Sequence, residues 1–288
     1  MQLLSSWAGH WTGTGTGVTV ILPPPGTIAS GEVRGGAPAT REFALLEPTR
    51  LIDRVDAVVL SGGSAYGLSA ADGLMTLLRE RGTGFETPLG VVPIVVGMSI
   101  FDSSVRTGPP GADAGRAAAL AAWSGAAFES GPVGAGTGAT TGKWRNRLDP
   151  GGVGWAVRPA GPASVAAVAV VNAWGDVLTE DGKPLFGGDA VTEPAVAFGM
   201  TNTTVAVVLT DARLGKDACF LLAQSGHAGF ARAIHPAHSR FDGDAVVALA
   251  TGEVTRGVSL ELIRAVAAET TAEAIRAAVT RRDSPPGG

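Results

Sequence analysis

From Thr203 to Leu209 the chain reads Thr-Thr-Val-Ala-Val-Val-Leu, β-branched and apolar over a strand's length. Such a run predicts a buried strand, and the small amide and hydroxyl side chains of Thr201 and Asn202 just ahead of it favour a turn. A threonine hydroxyl therefore stands at the first position of the strand. Attack of that hydroxyl on the Asn202 carbonyl, followed by hydrolysis of the resulting ester, would leave Thr203 with a free α-amine. An α-amine titrates at about 7.7–8.0 and can take the proton of its own side-chain hydroxyl near neutral pH. Taken alone, the same stretch is also an ordinary turn entering a core strand, so the remaining residues have to decide between the two.

The 288 residues, 45% of them hydrophobic, supply enough material for a full-sized core. The 42 glycines and 17% charged residues describe a compact body with many tight turns. A formal net charge of −4 offers no electrostatic footprint for nucleic acid or for an anionic membrane. The single cysteine, Cys219, excludes an internal disulfide framework and lies in an apolar run that suits packing. The first residues lack an apolar signal-peptide core, and no apolar run is long enough to span a bilayer, which makes the cytoplasm the expected compartment.

In chain order, residues 17–22 predict a strand stopped by Pro23-Pro24-Pro25-Gly26. Residues 55–60 predict a second strand, followed by the tight loop Ser61-Gly62-Gly63-Ser64-Ala65-Tyr66-Gly67 and a helix over 68–81. Further strands are expected at 91–98, 164–172 and 245–249, and helices at 113–123, 214–234 and 258–280. Residues 181–200 read as an exposed connection and 281–288 as a polar tail. No repeat or linker divides the chain, so residues 1–288 are expected to form a single domain. The glycine-rich 131–143 stretch fails the phosphate-loop spacing, because Thr137 stands where the first glycine belongs and Trp144 where a Ser or Thr belongs. A dinucleotide fingerprint has no strand leading into it.

Several residues have the chemistry to join one site. Lys143 closes the glycine-rich stretch and, if buried, can depress a neighbouring pKa or stabilise negative charge. Asn172 ends an apolar strand with an amide that can donate to an oxyanion. Asp242 and Asp244, two apart around Gly243, can share or raise a proton affinity. Tyr66, the only tyrosine, sits in a glycine loop. Each also has a plain structural reading, as a solvated lysine, a turn-capping amide, a solvated hairpin or a packed ring. His10, His227, His235 and His238 show no zinc-site spacing, and the pair at 235 and 238 beside Pro236 reads as the end of a helix. Ser64 lacks the final glycine of a nucleophile elbow. No metal or cofactor is expected.

Val33-Arg34-Gly35-Gly36-Ala37-Pro38, Gly62-Gly63-Ser64-Ala65-Tyr66-Gly67-Leu68, Gly134-Ala135-Gly136 through Gly142-Lys143, Val171-Asn172, Asn202-Thr203-Thr204 and Asp242-Gly243-Asp244 follow one another along the chain. In that order they resemble the family of L-aminopeptidase D-esterases and β-peptidyl aminopeptidases, most closely its 6-aminohexanoate (nylon) oligomer endohydrolase branch. The resemblance implies an α+β fold, an αββα sandwich of two central β-sheets flanked by helices, in a self-cleaving N-terminal-nucleophile hydrolase. It implies a cut between Asn202 and Thr203 into fragments 1–202 and 203–288 that stay together, and a homo-oligomer, often a tetramer. Thr203 would be the nucleophile, Lys143 and Asn172 its neighbours, Asp242 and Asp244 the carboxylates that orient it, and Tyr66 a pocket residue. The substrate would be a small amide, an oligoamide or a short peptide. The Asn-Thr cut site departs from the Gly-Ser usual in the aminopeptidase branch and favours the oligoamide branch. Alternatives are a β-peptidyl or D-aminopeptidase, an acyltransferase similar to ornithine acetyltransferases, and a non-catalytic binding or assembly protein.

Overall fold

The computed structural model describes residues 1–189, 191, 193–195 and 202–280. Part of the 181–200 connection and the whole 281–288 tail thus lie outside the described residues, as does Thr201. The strand expected from Thr203 onward is Thr203–Ala212 and occupies the middle of a five-stranded sheet. Across that sheet the order is Gly152–Ala160, Ala163–Asn172, Thr203–Ala212, Ala245–Val254 and Ile28–Val33. The central strand runs antiparallel to Ala163–Asn172 and parallel to Ala245–Val254. A second, six-stranded sheet has the order Gln2–Leu3, Ser6–Thr12, Gly17–Leu22, Ala57–Ser61, Val95–Ser99 and Thr40–Arg41.

Strand periodicity shows how the layers stack. Val205, Val207 and Leu209 point into the same core as Ala166, Val168, Val170, Ala245, Val247 and Leu249, and that core also takes Ile21, Val58, Leu60, Val96 and Met98 from the other sheet. Ala206 and Val208, with the alternate residues of the neighbouring strands, face Leu222, Phe230, Ile263 and Ile275 of two helices, Lys216–Ala233 and Leu260–Val279. Val18, Val20 and Val59 on the far face of the second sheet meet Leu74 and Ala118 of helices Ala70–Glu80 and Ala112–Trp123. Because successive strand side chains point to opposite faces, a strand apolar at every position must be covered on both. The layers run helix, sheet, sheet, helix, as the αββα expectation has it.

Small residues set the spacing. A Cβ on Gly154 would stand 2.2 Å from the Ala274 carbonyl oxygen, so the long C-terminal helix lies almost directly on the sheet backbone. The glycine-rich 131–143 stretch is close packing of the same kind, since a Cβ on Gly136 would meet Val153 N at 2.2 Å and one on Gly138 would meet Gly15 O at 2.2 Å. Several boundaries differ from expectation, among them the strand expected at 245–249, which runs on to Val254. The helix over 68–81 begins at Ala70, after a separate short turn Ser64–Gly67. The strand over 91–98 is broken at Pro93, which cannot donate to a ladder, into Gly90–Val92 of a small hairpin and Val95–Ser99. No helix among the described residues is long and apolar enough to cross a membrane.

Candidate active site

Thr203 faces Asn172 across the antiparallel ladder. By the alternation just described, both side chains fall on the side between the sheets, at the open end of that core. Thr203 is 3% exposed and its Oγ1 donates to the carbonyl oxygen of Asn202, the residue before it. The hydroxyl therefore already lies against the peptide group it would have to attack.

The Asp242-Gly243-Asp244 turn grips that peptide group from both sides. Asn202 and Asp242 form a parallel bridge that extends the ladder between the central strand and Ala245–Val254. Gly243 N–H donates to the Asn202 carbonyl oxygen at 3.0 Å, and Thr204 N–H donates to Asp244 Oδ1 at 2.7 Å. The peptides before and after Thr203 are thus fixed by adjacent residues of one turn. Asp242 is held in turn by Ser239 Oγ at 2.5 Å, Ser239 N at 3.2 Å and Trp174 N at 3.2 Å. The Val33-Arg34-Gly35-Gly36-Ala37 motif is the other side of the clamp. Arg34 and Gly35 N–H groups donate to the Asp244 carbonyl and Ala37 N–H to that of Asp242, while a Cβ on Gly35 would stand 2.2 Å from Asp244 N.

Lys143 is 3% exposed and donates from Nζ to Asn172 Oδ1 at 2.8 Å and to Asn172 O at 3.1 Å. Burial pushes its pKa from 10.5 down to about 7, opposed only in part by the negative charge of Asp242. Asp242 is pushed up to about 6, first by burial and then by the like charge of Asp244, against the hydrogen bonds from Ser239 and Trp174. Near neutral pH the site therefore holds an amine that can be neutral beside a carboxylate that can be protonated, a pairing suited to proton transfer.

Asn172 binds Lys143 and the backbone around it. Oδ1 accepts from Lys143 and from Thr140 N at 3.0 Å, and Nδ2 donates to Phe101 O at 2.8 Å. These contacts make Asn172 the group that orients Lys143. The N–H already on a carbonyl that would become an oxyanion is that of Gly243. A cleft of about 850 Å³ leads to Lys143 and Asn172 between apolar walls that include Phe101, Val105 and Leu148, with Arg106 among its lining. Asp102 lines it too, but its oxygens already accept from Thr16 Oγ1, Gly63 N, Ser104 N and Ser104 Oγ. The Gly62-Gly63 turn thus lies behind the cleft wall and holds Asp102 in it. Tyr66, expected in the pocket, is 67% exposed and is not among the cleft-lining residues.

The structure also adds residues that the sequence did not single out for chemistry. Ser239 and the backbone N–H groups of Trp174 and Gly243 act through hydrogen bonds that residue type alone does not announce. His238, expected only to break the helix that does end just before it, at Ala233, also lies on Asp244. Cys219 is fully buried and its thiol is pushed up to about 12 by burial, in keeping with packing. Among the described residues no cluster of His, Cys, Asp and Glu could hold a metal ion.

Two stacked sheets flanked by helices, with a threonine heading the central strand, have the architecture of the N-terminal-nucleophile hydrolase fold. The chain belongs to peptidase family S58, whose model matches residues 5–287. It is 42% identical to an uncharacterized aminopeptidase of Mycobacterium leprae over 90% of this chain and 77% of that protein. It is 31% identical to the 6-aminohexanoate-oligomer endohydrolase of Agromyces sp. over 87% of this chain and 74% of that one. Among solved structures, a Burkholderia sp. beta-aminopeptidase superposes with a TM-score of 0.73 at 23% identity, covering 95% of this chain and 83% of the other. The L-aminopeptidase D-Ala-esterase/amidase of Ochrobactrum anthropi, a variant of the same hydrolase fold, superposes with a TM-score of 0.71 at 19% identity, covering 95% and 82%. The aminopeptidase relative stands nearer than the endohydrolase, which shifts the expectation of an oligoamide hydrolase toward the aminopeptidase side of the family.

Proposed function

We propose that this chain is an amide-bond hydrolase of the aminopeptidase type, which cuts its own backbone between Asn202 and Thr203 and then works through the amine and hydroxyl of the new N-terminal Thr203. One observation carries this reading. The Asp242-Gly243-Asp244 turn binds the peptides on both sides of Thr203 while the Thr203 hydroxyl lies on the Asn202 carbonyl.

In the self-cut, Thr203 Oγ1 attacks the Asn202 carbonyl carbon and its proton passes to neutral Lys143 or through it to the departing nitrogen. The carbonyl oxygen becomes an oxyanion facing Gly243 N–H, the C–N bond breaks, and an ester joins Asn202 to the Thr203 side chain. Water hydrolyses that ester, giving a carboxylate on Asn202 and a free amine and hydroxyl on Thr203. The fragments, residues 1–202 and 203–288, stay together because strands Thr203–Ala212 and Ala245–Val254 of the small fragment pair on their outer sides with Ala163–Asn172 and Ile28–Val33 of the large one. Catalysis repeats the chemistry on a substrate amide. The Thr203 amine takes the hydroxyl proton, Oγ1 forms an acyl ester, the substrate amine leaves with a proton, and water clears the ester.

The 42% relative supports release of N-terminal residues from short peptides or amides. Cleavage within aminohexanoate oligomers is the second reading, supported by the apolar cleft walls and the 31% relative. The test is intact mass together with a substrate panel. Wild-type protein should give two fragments whose masses sum to the chain plus one water, and Thr203→Ala should stay whole and inactive. Two fragments from Thr203→Ala would remove the nucleophile assignment. Faster turnover of amino-acid p-nitroanilides than of aminohexanoate oligomers is expected, and the reverse order would select the second reading.

A further inference from the structure

Asp244 can hold the Thr203–Thr204 peptide only if its own carboxylate is fixed, and the fixing group lies six residues upstream. His238 Nδ1 is 2.8 Å from Asp244 Oδ2, and the His238 backbone N–H donates to the same oxygen at 3.1 Å. The other carboxylate oxygen, Oδ1, takes Thr204 N–H at 2.7 Å. A continuous chain therefore runs from His238 through Asp244 to the peptide that follows the nucleophile. Resting on the reading of Thr203 as nucleophile, we propose that His238 is a positioning residue, which fixes Asp244 and through it aims the Thr203 hydroxyl at the carbonyl under attack.

The ring is held for this purpose. His238 stacks on Phe230 with ring centroids 5.6 Å apart and stands edge-on to His227 at 4.8 Å. Its Nε2 lies 3.4 Å from the His227 carbonyl oxygen, so both ring nitrogens face acceptors. His227 is itself fully buried and anchored to the edge strand by Nε2 at 3.0 Å from Glu32 O. The backbone of His238 is left-handed, with φ 57°, which turns its N–H and its Nδ1 toward one carboxylate oxygen. A side chain that only filled space between Phe230 and His227 would not need that conformation, which non-glycine residues rarely adopt apart from Asn, Asp and His.

These features separate the donor from the backbone. His238→Asn tolerates the left-handed conformation and offers an amide N–H near the place of Nδ1. His238→Gly keeps the conformation and removes the donor, and His238→Asp keeps the shape of asparagine but presents an acceptor to Asp244. The rate of self-cutting would be followed by intact mass, and kcat and KM measured on the matured enzyme with an amino-acid p-nitroanilide. Loss of a hydrogen bond to a charged group predicts self-cutting about ten- to hundredfold slower in the Gly variant. A parallel fall in kcat with KM unchanged, and recovery of most of the rate in the Asn variant, are also expected. Self-cutting at the wild-type rate in His238→Gly, or an Asn variant as slow as Gly, would overturn the proposal. If the glycine variant does not fold, the Asn and Asp pair carries the same test, and equal rates in those two would overturn it. Thr203→Ala, run alongside, keeps the two readings apart. If it remains whole while His238→Gly cuts normally, the nucleophile stands and the positioning role falls; if it is cut, both fall.

Discussion

Replacing Lys143 by methionine should raise stability while abolishing the chemistry, and the structure gives the size of the gain. Burial lowers the lysine from 10.5 to about 7 in the folded chain. At about 1.36 kcal/mol per pH unit, that difference makes the buried ammonium cost the fold about 5 kcal/mol at and below pH 7. The sign follows from proton counting. Between about pH 7 and 10.5 the unfolded chain holds a proton at this position that the folded chain has released, so folded stability rises with pH through that window and the cost is gone above it. Methionine removes the cost at every pH but also removes the bonds from Nζ to Asn172 Oδ1 and O, worth about 1 kcal/mol each. Asn172 Oδ1 still accepts from Thr140 N, so no buried acceptor is orphaned there. A net gain of about 2–3 kcal/mol at pH 7 follows from these magnitudes. The measurement belongs in a Thr203→Ala background, where the chain is expected to remain one covalent piece and unfold reversibly. Urea melts at about pH 7 and about pH 9 should show that background gaining about 2.7 kcal/mol with the two-unit rise, an increment the Lys143→Met double variant lacks. Lys216, whose pKa is also lowered by burial, is common to both chains and cancels in the comparison. Parallel pH curves for the two chains would refute the buried-amine account.

Three further outcomes follow from the same geometry. Gly243→Ala would place a Cβ 2.8 Å from Thr203 Oγ1 and 2.7 Å from Ala37 O, so the turn must shift and its N–H must leave the Asn202 oxygen. The time course of self-cutting on a denaturing gel should slow by about a hundred- to a thousandfold, the loss seen when one oxyanion donor is removed. Because neutral Lys143 is the form that can accept a proton, self-cutting should accelerate as pH rises through about 7 and stall in acid, and a pH-independent rate would exclude Lys143 as the base. Arg106, exposed on the cleft wall and in no ion pair among the described residues, should favour substrates with a carboxylate. Arg106→Ala is expected to raise KM for those about two- to fivefold at unchanged kcat, as suits an exposed ion pair, and to leave uncharged amides unaffected.

The central strand was legible because it is extreme. Thr203–Ala212 is apolar on both faces, and only a layer on each side can bury such a strand, whereas Ser6–Thr12, Ile28–Val33 and Gly152–Ala160 gave no comparable signal. Two of these lie at the edges of the five-stranded sheet, and the third lies next to the edge of the other sheet. Their Gly, His and Arg residues are explained by what they meet in space: Gly154 by the helix at Ala274, His10 by Thr19 at 2.9 Å, Arg158 by Glu273 at 2.8 Å. Side-chain chemistry was legible in the same uneven way. Asp242, Asp244, Lys143 and Asn172 stand out by type and position, and the structure brings them around Thr203. Gly243 contributes through an N–H that every residue but proline possesses, and His238 through a conformation that no spacing announces.

That unevenness has a physical origin in where the strain of a self-cutting bond would be borne. A side chain that supplies a charge can be recognised from its identity, but a peptide bond placed against its own neighbouring hydroxyl depends on backbone groups drawn from distant parts of the chain. Here the Asn202 carbonyl is held by Gly243, the Thr204 N–H by Asp244, and the Asp turn by the N–H groups of Arg34, Gly35 and Ala37, more than 160 residues earlier in sequence than Thr203. The contacts of Arg34, Gly35 and Ala37 close only when the edge strand Ile28–Val33 lies beside Ala245–Val254, which is itself paired with the central strand. The Asn202–Thr203 bond would therefore be safe in the unfolded chain and exposed to attack only in the folded one, which ties the birth of the amine to the completion of the fold. Destabilising the edge strand Ile28–Val33 at a position remote from the turn, as with Ala29 in the inter-sheet core, should accordingly slow self-cutting in proportion to the fraction of chains left unfolded, with no change in the rate of the folded fraction. Pulse-labelled chains of Ala29→Gly, followed by intact mass across a urea series, would show cut product tracking the folded population. Cutting that persists in urea after the fold is lost would sever that link and leave the 202–203 bond intrinsically labile.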